Sequence, residues 1–143
     1  MNKLNAFLAL LSGNFDNAEQ FEVKKADQPD FPYARHVNTV CNDKISHLPA
    51  DFQGAFLLEE SYYTVGGRTN AMPHLFLFTE EGDCVKLTSY EMPEGYTKDT
   101  FTAAGLGRLD YRTLRPSATF TPALYRKNGE WFEGGSESSL HRC

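Results

Sequence analysis

The chain is short of the residues and motifs that mark several common classes of protein. Its 143 residues include only three cysteines, Cys41, Cys84 and Cys143, with no CxxC pair and no Cys-His cluster at zinc spacing. An odd cysteine count without such pairs argues against a disulfide scaffold or a metal site and is typical of a reduced intracellular chain. The apolar run FLALL is too short to cross a membrane and lacks the features of a signal peptide. We therefore predict a cytoplasmic protein without a bound metal.

Basic charge is also scarce. The formal net charge is -5, so the chain as a whole repels phosphate backbones, and we expect no nucleic acid partner. The nearest basic groups, Lys24 with Lys25 and the run from Arg108 to Arg115, are interpreted as solvated surface. No GxSxG, P-loop, HExxH or dinucleotide-binding motif is present, so the sequence shows none of the common nucleotide-binding or hydrolase signatures.

Aromatic residues, by contrast, are plentiful. Hydrophobic residues make up 41% of the chain and aromatic residues 13%, with eleven Phe and seven Tyr against one Trp. A chain of this size and composition buries a core without a disulfide or metal. Phe and Tyr are typical of strands, because aromatic rings pack well on a pleated surface. The composition predicts a single, mainly β domain over residues 1–143.

The order of elements refines this fold class. An N-terminal helix is predicted because apolar residues recur at three- and four-residue steps, at Leu4, Phe7, Leu8 and Leu11. A short second helix over DNAEQFE ends before Pro29. Strands are predicted over residues 33–40, 54–64, 74–79 and 84–92, with a final hairpin over 119–134 around Asn128-Gly129. A helix followed by antiparallel hairpins indicates a meander that curls into a β-barrel or half-barrel.

Charged and aromatic residues are grouped in two of these strands, where a strand that only builds a core would not need them. Five of them fall within 15 positions: Glu60, Tyr62, Tyr63, Arg68 and His74. Alternation along the strand places Glu60 and Tyr62 on one face and Tyr63 on the other. Each face then runs from apolar to polar, as a one-ended ligand cup requires.

The next hairpin extends this surface. If Thr79 pairs with Cys84 across the EEGD turn, His74 and Phe76 share a face with Ser89. His74 and Ser89 then lie together at one end of an apolar surface. A β-barrel of about eight strands is just wide enough to hold one small ligand.

Alternatives stay open for these residues. An ordinary sheet whose strand ends reach solvent is the better explanation of each residue singly, whereas their grouping supports a ligand cup about as well as it supports such a sheet. Arg68, in GGRTN, either clamps an acidic ligand or is an exposed hairpin tip. His74 either transfers protons near neutral pH or is a hydrogen-bonded core histidine. His36 and His47 are isolated and receive no role.

Three segments carry a family resemblance. FLALLSGNFDNAEQ contains a Gly-x-Phe-x-Asn-x-x-Gln pattern at Gly13, Phe15, Asn17 and Gln20. EESYY is similar to a Glu-Gln-x-Tyr strand, with Glu60 and Tyr63 at the matching positions, and GEWFEGGSES with the final cysteine is a vaguer match. In this order and spacing, along most of the chain, they resemble the T-type phycobiliprotein lyases, the CpcT/CpeT chromophore lyase family.

The resemblance implies a lipocalin-like (calycin) antiparallel barrel that holds an open-chain tetrapyrrole. Phycocyanobilin or phycoerythrobilin is then a substrate, not a permanently bound cofactor, and the protein attaches it to a cysteine of a phycobiliprotein β-subunit. Glu60 and His74 are the catalytic residues expected to assist proton transfer, and Arg68 the cation expected to hold the propionates. The remaining ligand-binding residues are expected to be Tyr62, Tyr63, Phe76 and Ser89.

The same cup fits other classes of protein. One alternative is a lipocalin-like carrier or sensor of a small apolar acid, with no catalytic activity. Another is an interaction module whose edge strands recruit a protein. The resemblance also implies barrel strands beyond Cys143, so the chain is expected to lack C-terminal strands. An open sheet edge of that kind invites pairing with another copy, as in a homodimer.

Overall fold

A large antiparallel sheet and two short helices make up most of the protein. The structure, a computed structural model, describes residues 3–128 and 131–136, with side chains over residues 3–126. The helices are α1 (Lys3–Leu11) and α2 (Ala18–Lys24). The strands are β1 (Gly13–Asp16), β2 (Tyr33–Val40), β3 (Ile45–Ser46), β4 (Ala55–Val65), β5 (Arg68–Glu81), β6 (Cys84–Tyr90), β7 (Leu109–Asp110), β8 (Ala123–Asn128) and β9 (Trp131–Ser136). The predicted mainly β fold class is confirmed.

Seven of the described strands form one sheet, in the order β1-β2-β4-β5-β6-β8-β9. Every neighbouring pair is antiparallel, whereas β3 and β7 form a separate parallel pair. Closure into a barrel requires the first and last strands to pair. Within the described residues β1 and β9 are the two edges and do not pair, so the sheet is open. Of the two predicted architectures, a barrel and a half-barrel, the described residues therefore do not form the closed barrel.

Two short turns fix the register of the central hairpins. Gly66 and Gly67, with φ of 58° and 79°, form the whole loop between Val65 and Arg68, because a two-residue hairpin turn needs positive φ. In the next hairpin Glu81 pairs with Cys84. The predicted pairing of Thr79 with Cys84 is therefore wrong by two residues. An even shift keeps every side chain on its predicted face.

The final predicted hairpin is present. β8 pairs with β9 from Ala123 with Ser136 to Asn128 with Trp131. The first strand of this hairpin begins at Ala123, four residues later than position 119. Gly129, half of the predicted turn, lies outside the described residues.

The sheet has a core on each face. On the first, here called the helix face, Phe7 of α1 packs in a buried cluster with Leu57, Phe78 and Val85. On the second, here called the loop face, the chain after β6 folds back and buries Phe101 against the sheet. The further buried members of this second cluster are Cys41, Ile45, Phe56, Leu58, Leu75, Leu106, Leu109 and Leu114.

Contacts at both ends hold α1 on the helix face. The backbone N–H of Leu4 donates to Glu80 Oε1 of β5 at 3.1 Å, which satisfies a free amide of the first turn. At the other end Asn38 Nδ2 of β2 donates to the carbonyl of Leu11 at 2.8 Å. The predicted apolar stripe is confirmed, with Leu4 and Phe7 buried. Neither α1 nor α2 has the length and apolar character that crossing a bilayer requires.

The cysteines differ from the sequence prediction. Cys41 is a free, buried thiol, and burial raises its pKa to about 11, so it stays protonated at neutral pH. Cys84, which is fully buried, is disulfide-bonded. The prediction of a fully reduced chain is therefore wrong at Cys84. Cysteine spacing alone cannot reveal such a bridge, since the fold sets the distance between two cysteines.

Candidate functional site

A cleft of about 330 Å³ lies on the helix face between α1 and the sheet. Its volume is at the lower end of the range for small-molecule sites. The apolar walls come from Phe7, Leu10, Leu11, Leu57, Phe76, Phe78 and Leu87. Its polar lining residues are Asn38, Glu59 and Tyr125. Apolar walls with a few polar groups are the usual composition of a site for an amphipathic ligand.

A larger hollow, of about 550 Å³, lies among the loops. Its lining mixes carboxylates with guanidinium groups, and most of these side chains are exposed: Glu91, Glu94, Arg108, Asp110 and Arg115. Water and salt screen exposed charges of both signs, so they give little binding energy. The cleft under α1 is therefore the stronger candidate site.

The polar groups of the cleft are rich in hydrogen-bond acceptors. Asn38 and Glu59 are direct partners across β2 and β4. Asn38 uses its amide N–H on α1, and its Oδ1 is buried without a hydrogen-bond partner among the described residues. Glu59 Oε1 accepts from Ser61 Oγ at 3.0 Å, and no described group donates to Oε2. A ligand carrying N–H donors is favoured here, since a buried acceptor left unpaired costs about 1–3 kcal/mol.

A chain of hydrogen bonds leads from the cleft to β2. Ser61 Oγ donates to Glu59, so it accepts from His36 Nδ1, which lies 2.8 Å away. In a neutral His36 ring the proton must then be on Nδ1. The edge of the His36 ring also meets the Tyr63 ring, with centroids 5.8 Å apart. The imidazole is thus fixed in both position and tautomer.

Tyr125 supplies the phenol of the cleft. Burial raises its pKa, and the nearby Glu59 charge raises it further. Tyr125 therefore remains a neutral hydroxyl near neutral pH. With Tyr125 neutral, Glu59 is the charged side chain among the described residues that line the cleft, and this part of the lining carries negative charge.

Four of the predicted site residues lie on the helix face in or near this cleft. Phe76 lines the cleft, and the His74 ring stacks on it with centroids 5.5 Å apart. Ser89 is the direct partner of Phe76, not of His74 as the predicted register had it. Tyr63 lies further along, against His36.

Arg68 is on the helix face but away from the cleft. It is exposed and begins β5 directly after the glycine turn. It lies six positions before His74, or about 20 Å away at the usual rise of a strand. Of the two predicted roles for Arg68, the exposed hairpin tip agrees with this position, and the ligand clamp does not.

Glu60 and Tyr62 are on the loop face. Glu60 is buried, with 8% of its surface exposed, and accepts from Tyr62 Oη at 2.6 Å and from the Ala103 amide at 3.3 Å. Burial and then the bond to Glu60 raise the pKa of Tyr62 to about 12. The Arg35 guanidinium lies 4.7 Å from the Tyr62 ring centre. Glu60 and His74, the two predicted catalytic residues, therefore lie on opposite faces of the sheet.

Sequence reasoning missed Asn38 and Glu59, which line the cleft, and His36, which connects to Glu59 through Ser61. The sequence did contain a signal for the position of Glu59, in the consecutive glycines Gly66 and Gly67. A two-residue turn at Gly66 and Gly67 places Glu59 opposite His74, which is the observed register. His36 and Asn38 had no comparable signal, because the loop that joins β2 to β4 is long and sets no register.

Comparison of the chain with protein-family models, with curated proteins and with solved structures finds no match. Within the described residues, no three His, Cys, Asp or Glu side chains are grouped as a metal ion would require.

Proposed function

We propose that the protein binds an open-chain tetrapyrrole in the cleft under α1. It would then act as a bilin lyase or chaperone that attaches phycocyanobilin or phycoerythrobilin to a cysteine of a phycobiliprotein β-subunit. The observation that carries the proposal is a cleft with apolar walls and one carboxylate, Glu59, whose second oxygen has no described donor. The resemblance of GNFDNAEQ and EESYY to the chromophore lyases supports the same ligand class.

The chemistry of a bilin suits this lining. Its pyrrole rings are flat and apolar, and an aromatic wall such as Phe76 offers them a face to pack on. Its ring nitrogens carry N–H donors, and a carboxylate is a strong acceptor for them. Glu59 thus takes the role that the sequence had predicted for Glu60. A shift of two residues along a strand keeps a side chain on the same face of the sheet. A shift of one residue, as from Glu60 to Glu59, moves it to the opposite face.

The negative charge of Glu59 argues against the alternative ligand, a small apolar acid. A carrier of a small apolar acid would place the ligand's carboxylate in a cleft whose own charge is that of Glu59. Like charges at short range repel, and none of the described residues that line this cleft is a Lys or Arg that would compensate them. The tetrapyrrole is therefore the better-supported ligand, and the carrier becomes an outcome of the test.

Catalysis on this proposal comes mainly from orientation. The acceptor thiol and the reactive carbon of the bilin need only be held at attack distance and angle. His74, stacked on Phe76 and paired across the strands with Glu59, is the imidazole nearest to such a ligand along β5. A lipocalin-like half-barrel, a cytoplasmic location and a homodimer through an open sheet edge complete the proposal.

The test is a spectral titration with phycocyanobilin. Wild-type protein should shift and sharpen the bilin absorption band. Glu59→Gln should weaken binding about 10- to 100-fold, because a hydrogen bond to a charged group contributes about 1.5–3 kcal/mol. Glu60→Gln is the matched control: it makes the same chemical change at the adjacent position, on the opposite face, and should bind like wild type.

The outcomes separate the classes of protein. A bound bilin that passes to an added β-subunit supports the lyase, and a bound bilin that never passes supports a chaperone or carrier. An unchanged spectrum together with binding of a medium-chain fatty acid would favour the acid carrier. Equal weakening by Glu59→Gln and Glu60→Gln, with unchanged melting temperatures, would contradict the placement of the ligand on the helix face.

A further inference from the structure

The chain from His36 through Ser61 to Glu59 has the geometry of a proton path. Both of its hydrogen bonds lie within the normal distance range, 2.8 Å from His36 Nδ1 to Ser61 Oγ and 3.0 Å from Ser61 Oγ to Glu59 Oε1. A hydroxyl that accepts one hydrogen bond and donates another can pass a proton along the two bonds in one concerted movement. The far end of the chain, Glu59, lines the cleft.

This arrangement is not that of a nucleophilic serine. In such a triad the acid orients the histidine and the serine faces the substrate. Here the serine lies between the other two groups, and only 1% of its surface is exposed. Ser61 therefore has no access to a substrate carbon. Its remaining chemical use is to connect the imidazole to the carboxylate.

The surroundings of His36 fit a group that exchanges protons with water. His36 is half-buried, and it lies beyond the end of α1 on the helix face. Its direct partners across the sheet are Phe15 of β1 and Ser61 of β4. Phe15 is 43% exposed, so the chain of hydrogen bonds begins in a part of the sheet that solvent reaches.

Within residues 3–126, whose side chains the structure describes, few ionisable groups face this path from the neighbouring elements. Glu59 and Tyr63 come from β4, His74 from β5 and Tyr125 from β8. The α1 residues that line the cleft, Phe7, Leu10 and Leu11, carry no charge.

We propose that His36 is a proton-transfer residue that acts through Ser61 and Glu59 on an unprotonated ring nitrogen of a ligand in the cleft. The inference rests on the proposed function for the identity of that ligand. In the forward direction the bond from Nδ1 to hydrogen breaks in doubly protonated His36 as one forms at Ser61 Oγ. The Ser61 proton moves to Glu59 Oε1 in the same step. His36 loses one positive charge and Glu59 loses its negative charge.

The second step completes the transfer. Neutral Glu59 gives a proton to the ligand nitrogen and regains its negative charge, and the ligand gains the positive charge. The Ser61 hydroxyl turns back towards Glu59, and Nδ1 of His36 takes up a proton from a hydronium ion of the solvent. The reverse sequence removes a proton from the ligand. No oxidant, reductant or metal takes part, because only protons move.

A first measurement tests the chain of hydrogen bonds in the protein without ligand. Nitrogen-15 NMR of the His36 ring should show the Nδ1–H tautomer in wild type. Ser61→Ala should remove this preference, because it deletes the acceptor of the Nδ1 proton. A wild-type ring with its proton on Nε2 would overturn the proposal, whether or not any bilin binds.

A second measurement tests transfer itself with bound phycocyanobilin, whose absorption changes with protonation. After a stopped-flow jump from about pH 6 to about pH 8, Ser61→Ala and His36→Ala should relax about 10- to 100-fold more slowly than wild type. The rates are compared at saturating bilin for each variant, so that a change in affinity does not enter the comparison. Ser61→Thr, which keeps the hydroxyl, should restore the rate.

Controls keep the two proposals separate. Thr64→Val removes a hydroxyl from the same strand on the loop face and should relax like wild type. A Ser61→Ala variant that binds bilin and relaxes at the wild-type rate would overturn the proton path but leave the proposed function intact. A wild-type protein that binds no bilin would overturn the proposed function, and the His36 tautomer would then decide on the path alone.

Discussion

At the scale of single residues, the contact between Tyr62 and Glu60 gives a direct test of the loop face. Tyr62→Phe leaves Glu60 with the Ala103 amide as its remaining described donor. We expect the free energy of unfolding to fall by about 1–2 kcal/mol in urea denaturation at neutral pH. Tyr33→Phe, whose hydroxyl donates to Asp16 at the surface, is the matched control and should lose less. Equal losses would contradict a structural role for Glu60.

The same pair predicts how stability changes at alkaline pH. Burial and the bond to Glu60 raise the pKa of Tyr62 from its ordinary value of 10.0 to about 12. The folded-state pKa is the higher one, so this contribution is complete below about pH 10 and is lost as pH rises from about 10 to about 12. In Tyr62→Phe that part of the decline should be absent. Parallel stability curves for the two proteins over this range would refute the assignment.

Adjacent glutamates show what residue patterns could predict. Alternation correctly placed Glu59 and Glu60 on opposite faces, because side chains in a strand alternate. It could not say which face holds a cleft, since that depends on where α1 and the loop after β6 pack. Packing between distant segments leaves no local signature in EESYY. The acid was therefore predicted one residue away from the one that lines the cleft.

At the scale of elements, the glycine turn between β4 and β5 sets the register on which the site depends. Gly66 and Gly67 both have positive φ, and an added Cβ at either meets no atom within 4 Å. Gly66→Ala and Gly67→Ala should thus cost about 1 kcal/mol each in unfolding free energy, from backbone conformation alone. Gly66→Asn should cost less, because Asn tolerates this conformation.

Gly107→Ala is the control for that series. It has no positive φ, and its nearest contact to an added Cβ is Tyr96 Oη at 3.4 Å. A loss at Gly107 as large as at Gly66 would show that the cost is not conformational.

Elements with strong local patterns were predicted well. The apolar spacing of Leu4 and Phe7 identified α1, and residues 33–40 match β2 exactly as the structure has it. The β5–β6 register was wrong because EEGD allows turns of different length, and only the folded chain shows that Gly82 adopts positive φ. The predicted start of β5 at position 74 was also too late, since the polar residues directly after the glycine turn already belong to the strand.

At the scale of the whole molecule, the prediction of a barrel depended on the two ends of the sheet meeting. Closure is set by strand tilt and stagger summed over all strands, which no single segment encodes. β1 contributes four residues, all of them exposed. What the sequence did indicate is an antiparallel order built from hairpins, since β4, β5 and β6 follow one another in both chain and sheet.

A shared sheet should make both cores unfold together. Phe7 on the helix face and Phe101 on the loop face are both buried, and the same strands, β4 and β5, supply their partners. Phe7→Leu and Phe101→Leu should each lower one common thermal transition, by about 1 kcal/mol or more for the lost packing. Differential scanning calorimetry should give equal calorimetric and van't Hoff enthalpies, the signature of a single cooperative domain.

The control for that experiment is Phe120→Leu, because Phe120 is 59% exposed and its substitution should leave the transition unchanged. Two transitions, one sensitive to Phe7→Leu and the other to Phe101→Leu, would show that the two faces are independent units. In that case α1 could separate from the sheet while the loop face stays folded. The cleft would then open without unfolding of the loop face, because its walls are shared between α1 and the helix face.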